Sequence, residues 1–133
     1  MLGEKIAEGI GQVIGQRVLT VDGLPKMEIS FRDAGVLLGV NAQNVGTYWS
    51  ELRPNGSFYG EGQGVVMGDN GETATWKGSG VGVMHENGTT KYRGAIYYQT
   101  TATKWQRLNK VAVVYEFDVD KDGNTKGIQS EWI

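Results

Sequence analysis

Apolar and polar positions alternate along most of this chain, and five dipeptides interrupt the alternation: Asp22-Gly23, Asn55-Gly56, Asn70-Gly71, Asn87-Gly88 and Asp122-Gly123. A period of two puts successive side chains on opposite faces of a strand. Asn-Gly or Asp-Gly between such runs signals a hairpin, because a type I′ turn needs two successive residues at positive φ. The intervals 55–70 and 70–87 each hold one strand, and 22–55 and 87–122 each hold two. With one strand at either end, the pattern predicts a single all-β domain over residues 1–133, an eight-stranded antiparallel meander β-barrel. Its strands fall near 13–21, twice within 26–53 with a break at 33–35 or 41–44, and at 58–67, 73–85, 89–99, 105–118 and 127–133. Ile6, Ile10 and Ile14 have helical spacing but are interrupted by Gly9, Gly11 and Gly15, which predicts at most a short helical turn before the first strand. Trp132 and Ile133 suggest a last strand that pairs with the first and leaves no free edge.

The two central turns set a register. Partners across them sum to 140 or 141 in one hairpin and 174 or 175 in the next, and the even values keep residues of one parity on one face. One face then carries Gly60, Gly62, Gly64, Gly78, Gly80, Gly82 and Gly94 beside Phe58, Trp76, Tyr92 and Tyr98. The other carries Tyr59, Glu61, Gln63, Lys77, Ser79, Arg93 and Tyr97. Glycine at alternate positions costs backbone entropy and gives the pleat no side chain, so something must offset it. Either the glycines let the sheet coil into a small barrel with neighbouring aromatics over the bare backbone, or a partner or flat ligand rests on the strip.

Composition narrows the function classes. A net charge of −2 provides no excess of cations for nucleic acid or an anionic membrane. No Cys and one His exclude disulfides, thiolate sites and multi-histidine metal centres, so no metal or cofactor is expected. The charged start of the chain and the lack of a long apolar run point to a cytoplasmic protein. The Asp118-Val-Asp120-Lys-Asp122-Gly123 run matches the first half of an EF-hand loop, but Gln129 stands where a bidentate Glu is required, leaving a hairpin turn with solvating carboxylates. His85, before a turn, reads as an exposed strand-end residue. The Gly-x-Gly-x-Gly runs lie within strands, so they are not phosphate loops.

Gly60-Glu-Gly-Gln-Gly64 followed by apolar residues, and Thr89-Thr-Lys-Tyr-Arg-Gly-Ala-Ile-Tyr97, resemble the glycine-glutamine-glycine and arginine-glycine strands of the dirigent and allene oxide cyclase barrels. The resemblance implies an eight-stranded barrel, of that or a calycin-like kind, often assembled as a homo-oligomer. Its lumen would hold a small apolar molecule and steer a cyclisation or isomerisation. Carried to Arg93, it makes the polar face the lumen and the glycine strip the outside. The candidate catalytic residues are then Glu61, Arg93 and Tyr97, since Arg keeps a neighbouring carboxylate ionised and makes a Tyr hydroxyl a better acid. Tyr59, Gln63, Lys77 and Ser79 would contact the ligand. The family's acidic residue before the arginine strand would fall at Glu86, in a turn. The alternative is a non-catalytic protein that associates through its glycine strip.

Overall fold

The computed structural model describes residues 1–133 as a closed barrel of eight antiparallel strands in meander order. The strands are β1 (Leu2–Thr20), β2 (Lys26–Leu37), β3 (Val40–Leu52), β4 (Phe58–Gly68), β5 (Thr73–Met84), β6 (Thr90–Thr100), β7 (Ala112–Val119) and β8 (Asn124–Trp132). A 3-10 helix, Thr103–Lys110, connects β6 to β7, and its residues 105–110 occupy what the sequence pattern assigns to the start of the seventh strand.

The dipeptide turns hold, with a different geometry. Each glycine has φ between 82° and 88°, but the preceding Asp or Asn stays at negative φ. At Asn70-Gly71, Gly71 N–H donates to Gly68 O at 3.2 Å and Gly68 N–H to Glu72 O at 2.8 Å. The loops at Asn55-Gly56, Asn70-Gly71, Asn87-Gly88 and Asp122-Gly123 therefore have three residues, with glycine in the left-handed bulge position, whereas the Asp22-Gly23 loop spans five residues between Thr20 and Lys26. The extra residue makes partner numbers sum to the even value, giving Gly60↔Gly80 and Gly80↔Gly94, the register expected from the sequence. The two successive positive φ values of a type I′ turn occur instead at Leu38 (46°) and Gly39 (78°). The break between β2 and β3 thus falls there, and not at 33–35 or 41–44.

No helical turn precedes β1. Ile10 and Ile14 lie on a strand, 70% and 55% exposed; a spacing of four keeps residues on one face of a strand as well as of a helix. The barrel closes through β8 and β1, but that pairing ends at Gln12↔Asn124, while β1 continues along β2 to Thr20↔Lys26. Contrary to expectation, the far end of β1 keeps one free edge. A register shift between Val13 and Gly15 bends the strand at this point.

One end of the barrel is a packed floor. Trp105 and Leu108 of the 3-10 helix are fully buried against Ile6, Leu37, Val66 and Val113. The Trp105 indole donates to Leu37 O at 3.1 Å. Arg107 latches the helix to β8 and β1 through Glu131 at 2.6 Å and Glu4 at 2.8 Å.

The glycine face lines the lumen, reversing the face assignment taken from the family resemblance. Gly60, Gly80 and Gly82 are buried, whereas Glu61, Gln63, Lys77, Arg93 and Tyr97 are exposed outside. The reason is space: an eight-stranded barrel has room for large inward side chains on only some of its strands. A Cβ on Gly82 would lie 2.6 Å from the Tyr92 ring, and one on Gly46 2.7 Å from Trp76. One on Gly94 would collide with the Ser79 carbonyl of the next strand, which shows how tightly the sheet is coiled. Coiling and aromatic cover together explain the glycines, and no bare strip is left outside for association.

Candidate functional site

The lumen between floor and aromatic cluster holds a cavity of about 120 Å³. Side chains of Phe31, Tyr48, Trp76, Tyr98, Tyr115 and Phe117 surround it, and Gly9, Gly35, Gly62, Gly78 and Gly127 give it bare backbone walls. Toward the end opposite the floor, Phe31 and Phe117 pack with ring centroids 4.9 Å apart, and Tyr48 meets Tyr92 edge-on at 5.7 Å. A buried hydrogen bond of 2.8 Å joins Tyr92 to Ser50.

Besides the tyrosine hydroxyls, the polar side chains turned into the cavity are those of Asp33, Asn44 and Gln129. Asp33 belongs to the inward row of β2, between Phe31 and Gly35, directly opposite Asn44 of β3. Its carboxylate lies over Gly9 of β1, with Oδ1 3.4 Å from where a Cβ would stand. Asn44 Oδ1 accepts from the Trp76 indole at 2.8 Å, and its Nδ2 donates to Asp33 at 3.4 Å. Because an indole can only donate, Trp76 fixes the orientation of the amide and turns its N–H groups toward Asp33. Tyr98 donates to Gln129 at 2.6 Å.

Burial pushes the Asp33 carboxyl up to about 6, with the Asn44 hydrogen bond opposing it. Burial likewise pushes up the hydroxyls of Tyr48 and Tyr98, and takes Tyr115 to about 12. These phenols stay neutral donors. No Lys, Arg or His lines the cavity. Glu8, Glu61 and Glu116 border it, but strand alternation turns their side chains outward, where they pair with Lys5, Tyr59 and Arg93.

The residues expected from sequence to form the site lie on the outer surface. Tyr59 and Glu61 do meet, at 2.8 Å, beside Trp49 and beneath Arg53. Arg93 points away from them and pairs with Asp118 at 3.0 Å and Glu116 at 3.3 Å. Tyr97 is 57% exposed, and Gln63 and Lys77 are also exposed. Ser79 takes part through its carbonyl, which accepts from Tyr115 at 3.1 Å. His85 is exposed, and the Asp120 carboxylate is engaged by the Asp122 and Asn124 amides of its own turn at 2.9 and 2.8 Å. Asp33, Asn44, Trp76, Tyr98 and Gln129 were not singled out as site residues. The available signal was a lone carboxylate in the otherwise apolar alternating row Phe31, Gly35, Leu37.

No helix is long and apolar enough to cross a membrane. No protein-family model and no curated protein matches the chain. Solved structures do match over nearly its whole length. A conserved protein of unknown function, RPA1785 from Rhodopseudomonas palustris, is 13% identical with a TM-score of 0.81, covering 99% of each chain. A protein of unknown function from Clostridium acetobutylicum is 11% identical with a TM-score of 0.84, covering 99% of this chain and 98% of its own. A beta-barrel like protein from Acinetobacter baumannii, ABAYE2633, is 12% identical with a TM-score of 0.82, covering 98% and 94%. At such identities the likeness establishes that this chain shares their eight-stranded barrel fold.

Proposed function

We propose that this protein is a small-molecule-binding barrel whose site is the lumen cavity, with Asp33 as its polar anchor. The observation that carries this is the Asp33 carboxyl itself. It is held in a largely apolar cavity with one long hydrogen bond, at 3.4 Å, and no cation beside it. A carboxyl so placed is costly to the fold, and a ligand donor in the cavity offsets that cost. Apolar walls around a few convergent polar groups are the usual composition of a ligand site. A cavity of about 120 Å³ is of the order of the ~150 Å³ apolar cavity that accepts benzene, so it suits one small ring or a short branched chain.

The same carboxyl favours a second reading, proton transfer to or from the bound molecule. A group at about 6 can exchange a proton near neutral pH, as an isomerase base requires. The catalytic assignment then moves from Glu61, Arg93 and Tyr97 to Asp33.

Gly127 provides the test. A Cβ there meets Phe117 at 3.7 Å, ordinary contact, and a longer side chain extends into the lumen. Ligand-observed NMR with a set of small aromatic and branched molecules is expected to show binding to the native barrel and none to a folded Gly127→Leu variant. Equal binding by both, or none by the native protein, overturns the lumen as the site.

A further inference from the structure

We infer that the lumen takes a small organic cation, an amine whose ammonium group pairs with Asp33 while its hydrocarbon part lies among the aromatic rings. This rests on the lumen being the ligand site and goes further by fixing the ligand's charge. The one ionisable carboxyl turned into the cavity is Asp33, and no Lys, Arg or His lines the walls. An anionic ligand would therefore meet an unbalanced carboxylate with no countercharge in a low-dielectric space. An ammonium group supplies both the missing charge and the missing donors. The geometry leaves an acceptor for it: Asn44 serves only Oδ2, and Oδ1, on the cavity wall, has no hydrogen-bond partner. The walls suit the rest of the ligand, because the faces of Tyr48, Trp76 and Tyr98 carry the negative quadrupole that attracts alkylammonium groups.

The groups facing Asp33 are Asn44 from β3, Tyr98 from β6, Gln129 from β8 and the backbone of Gly9 from β1. The Tyr98 hydroxyl is pushed far above neutrality by burial, so Asp33 alone titrates there between mildly acid and neutral pH. An ammonium ligand binds the ionised carboxylate, and its affinity should therefore fall as Asp33 takes up its proton.

Three probes of similar size and different charge decide the matter by calorimetry: benzylamine, benzyl alcohol and benzoate, each against the native protein and Asp33→Asn. At about pH 7.5 benzylamine is expected to bind at least ~10-fold more tightly than benzyl alcohol, with benzoate weakest. Asp33→Asn should abolish the amine's advantage over the alcohol. The native protein's affinity for benzylamine should drop on going to about pH 5 while that for the alcohol does not, a result that needs no variant to fold. Equal binding of amine and alcohol, or full amine affinity in Asp33→Asn, overturns the cation assignment and leaves the lumen site standing. If none of the three binds, the cation assignment also falls. The Gly127→Leu comparison then shows separately whether the lumen binds anything.

Discussion

Replacing Asp33 by Asn keeps the shape of the side chain and removes its charge, which makes it a direct measure of what the buried carboxyl costs. Raising its pKa from 3.8 to about 6 corresponds to ~3 kcal/mol, at about 1.4 kcal/mol for each pH unit. The sign follows from proton binding. Below about pH 4 the folded and unfolded chains both hold the proton and there is no penalty. Between about pH 4 and 6 the unfolded chain has released it while the folded chain still holds it, so stability falls as pH rises; above about 6 the loss is complete. Asp33→Asn escapes that loss. In a domain of this size ~3 kcal/mol shifts the melting temperature by roughly 10 °C. Melting curves at about pH 4 and about pH 8 should show native and variant alike in acid, and the variant clearly more stable in base. Glu72, Asp120 and Glu131 have lowered pKa values from their hydrogen bonds and destabilise the fold in acid, but equally in both proteins. A variant that gains the same amount at both pH values, or loses stability in base, would refute the burial of an uncompensated carboxyl.

The lumen and the outer face can be probed in the same way. Gly94→Ala drives a methyl into the Ser79 carbonyl and should cost ~2 kcal/mol or more in urea unfolding. Thr125 Oγ1 is buried with no hydrogen-bond partner; Thr125→Val removes it without changing volume and should raise stability by ~1 kcal/mol in the same assay. Arg93 is 45% exposed in its two ion pairs, so Arg93→Ala should cost no more than ~1 kcal/mol and leave ligand affinity unchanged in calorimetry.

The central hairpins were legible because Asn70-Gly71 and Asn87-Gly88 bracket them, and their register needed only the loop length. Other features gave no such mark. Leu38-Gly39 makes the β2–β3 turn with Leu at positive φ, a position where sequence pattern leads one to look for Asn or Gly. The Ile6, Ile10, Ile14 spacing is compatible with helix and strand alike, so the pattern gives no sign that β1 begins at Leu2 and not near Val13. The choice of inner face depends on long-range packing: the side chains that cover the β4–β6 glycines include Tyr48 from β3 and Tyr115 from β7. Asn55-Gly56 marks the register of β3 on β4, but the β6–β7 connection runs through the 3-10 helix with no dipeptide turn, so nothing in the pattern places Tyr115. Asp33 itself lies in one of the two stretches, 33–35 and 41–44, where the pattern allows a break. Its meaning emerges only when β1, β2 and β3 bring Gly9 and Asn44 to its two sides.

The four tryptophans report on different parts of the barrel, and their indole N–H signals test the lumen site directly. Trp76 lines the cavity, Trp49 lies outside against Tyr59, Trp105 is sealed in the floor and Trp132 is exposed. In a proton–nitrogen NMR titration with benzylamine, the Trp76 signal should move in a saturable way while Trp49 and Trp132 stay fixed. Movement of Trp49 with Trp76 unchanged would place the ligand on the outer face beside Tyr59 and Glu61, and would contradict the assignment of the site to the lumen.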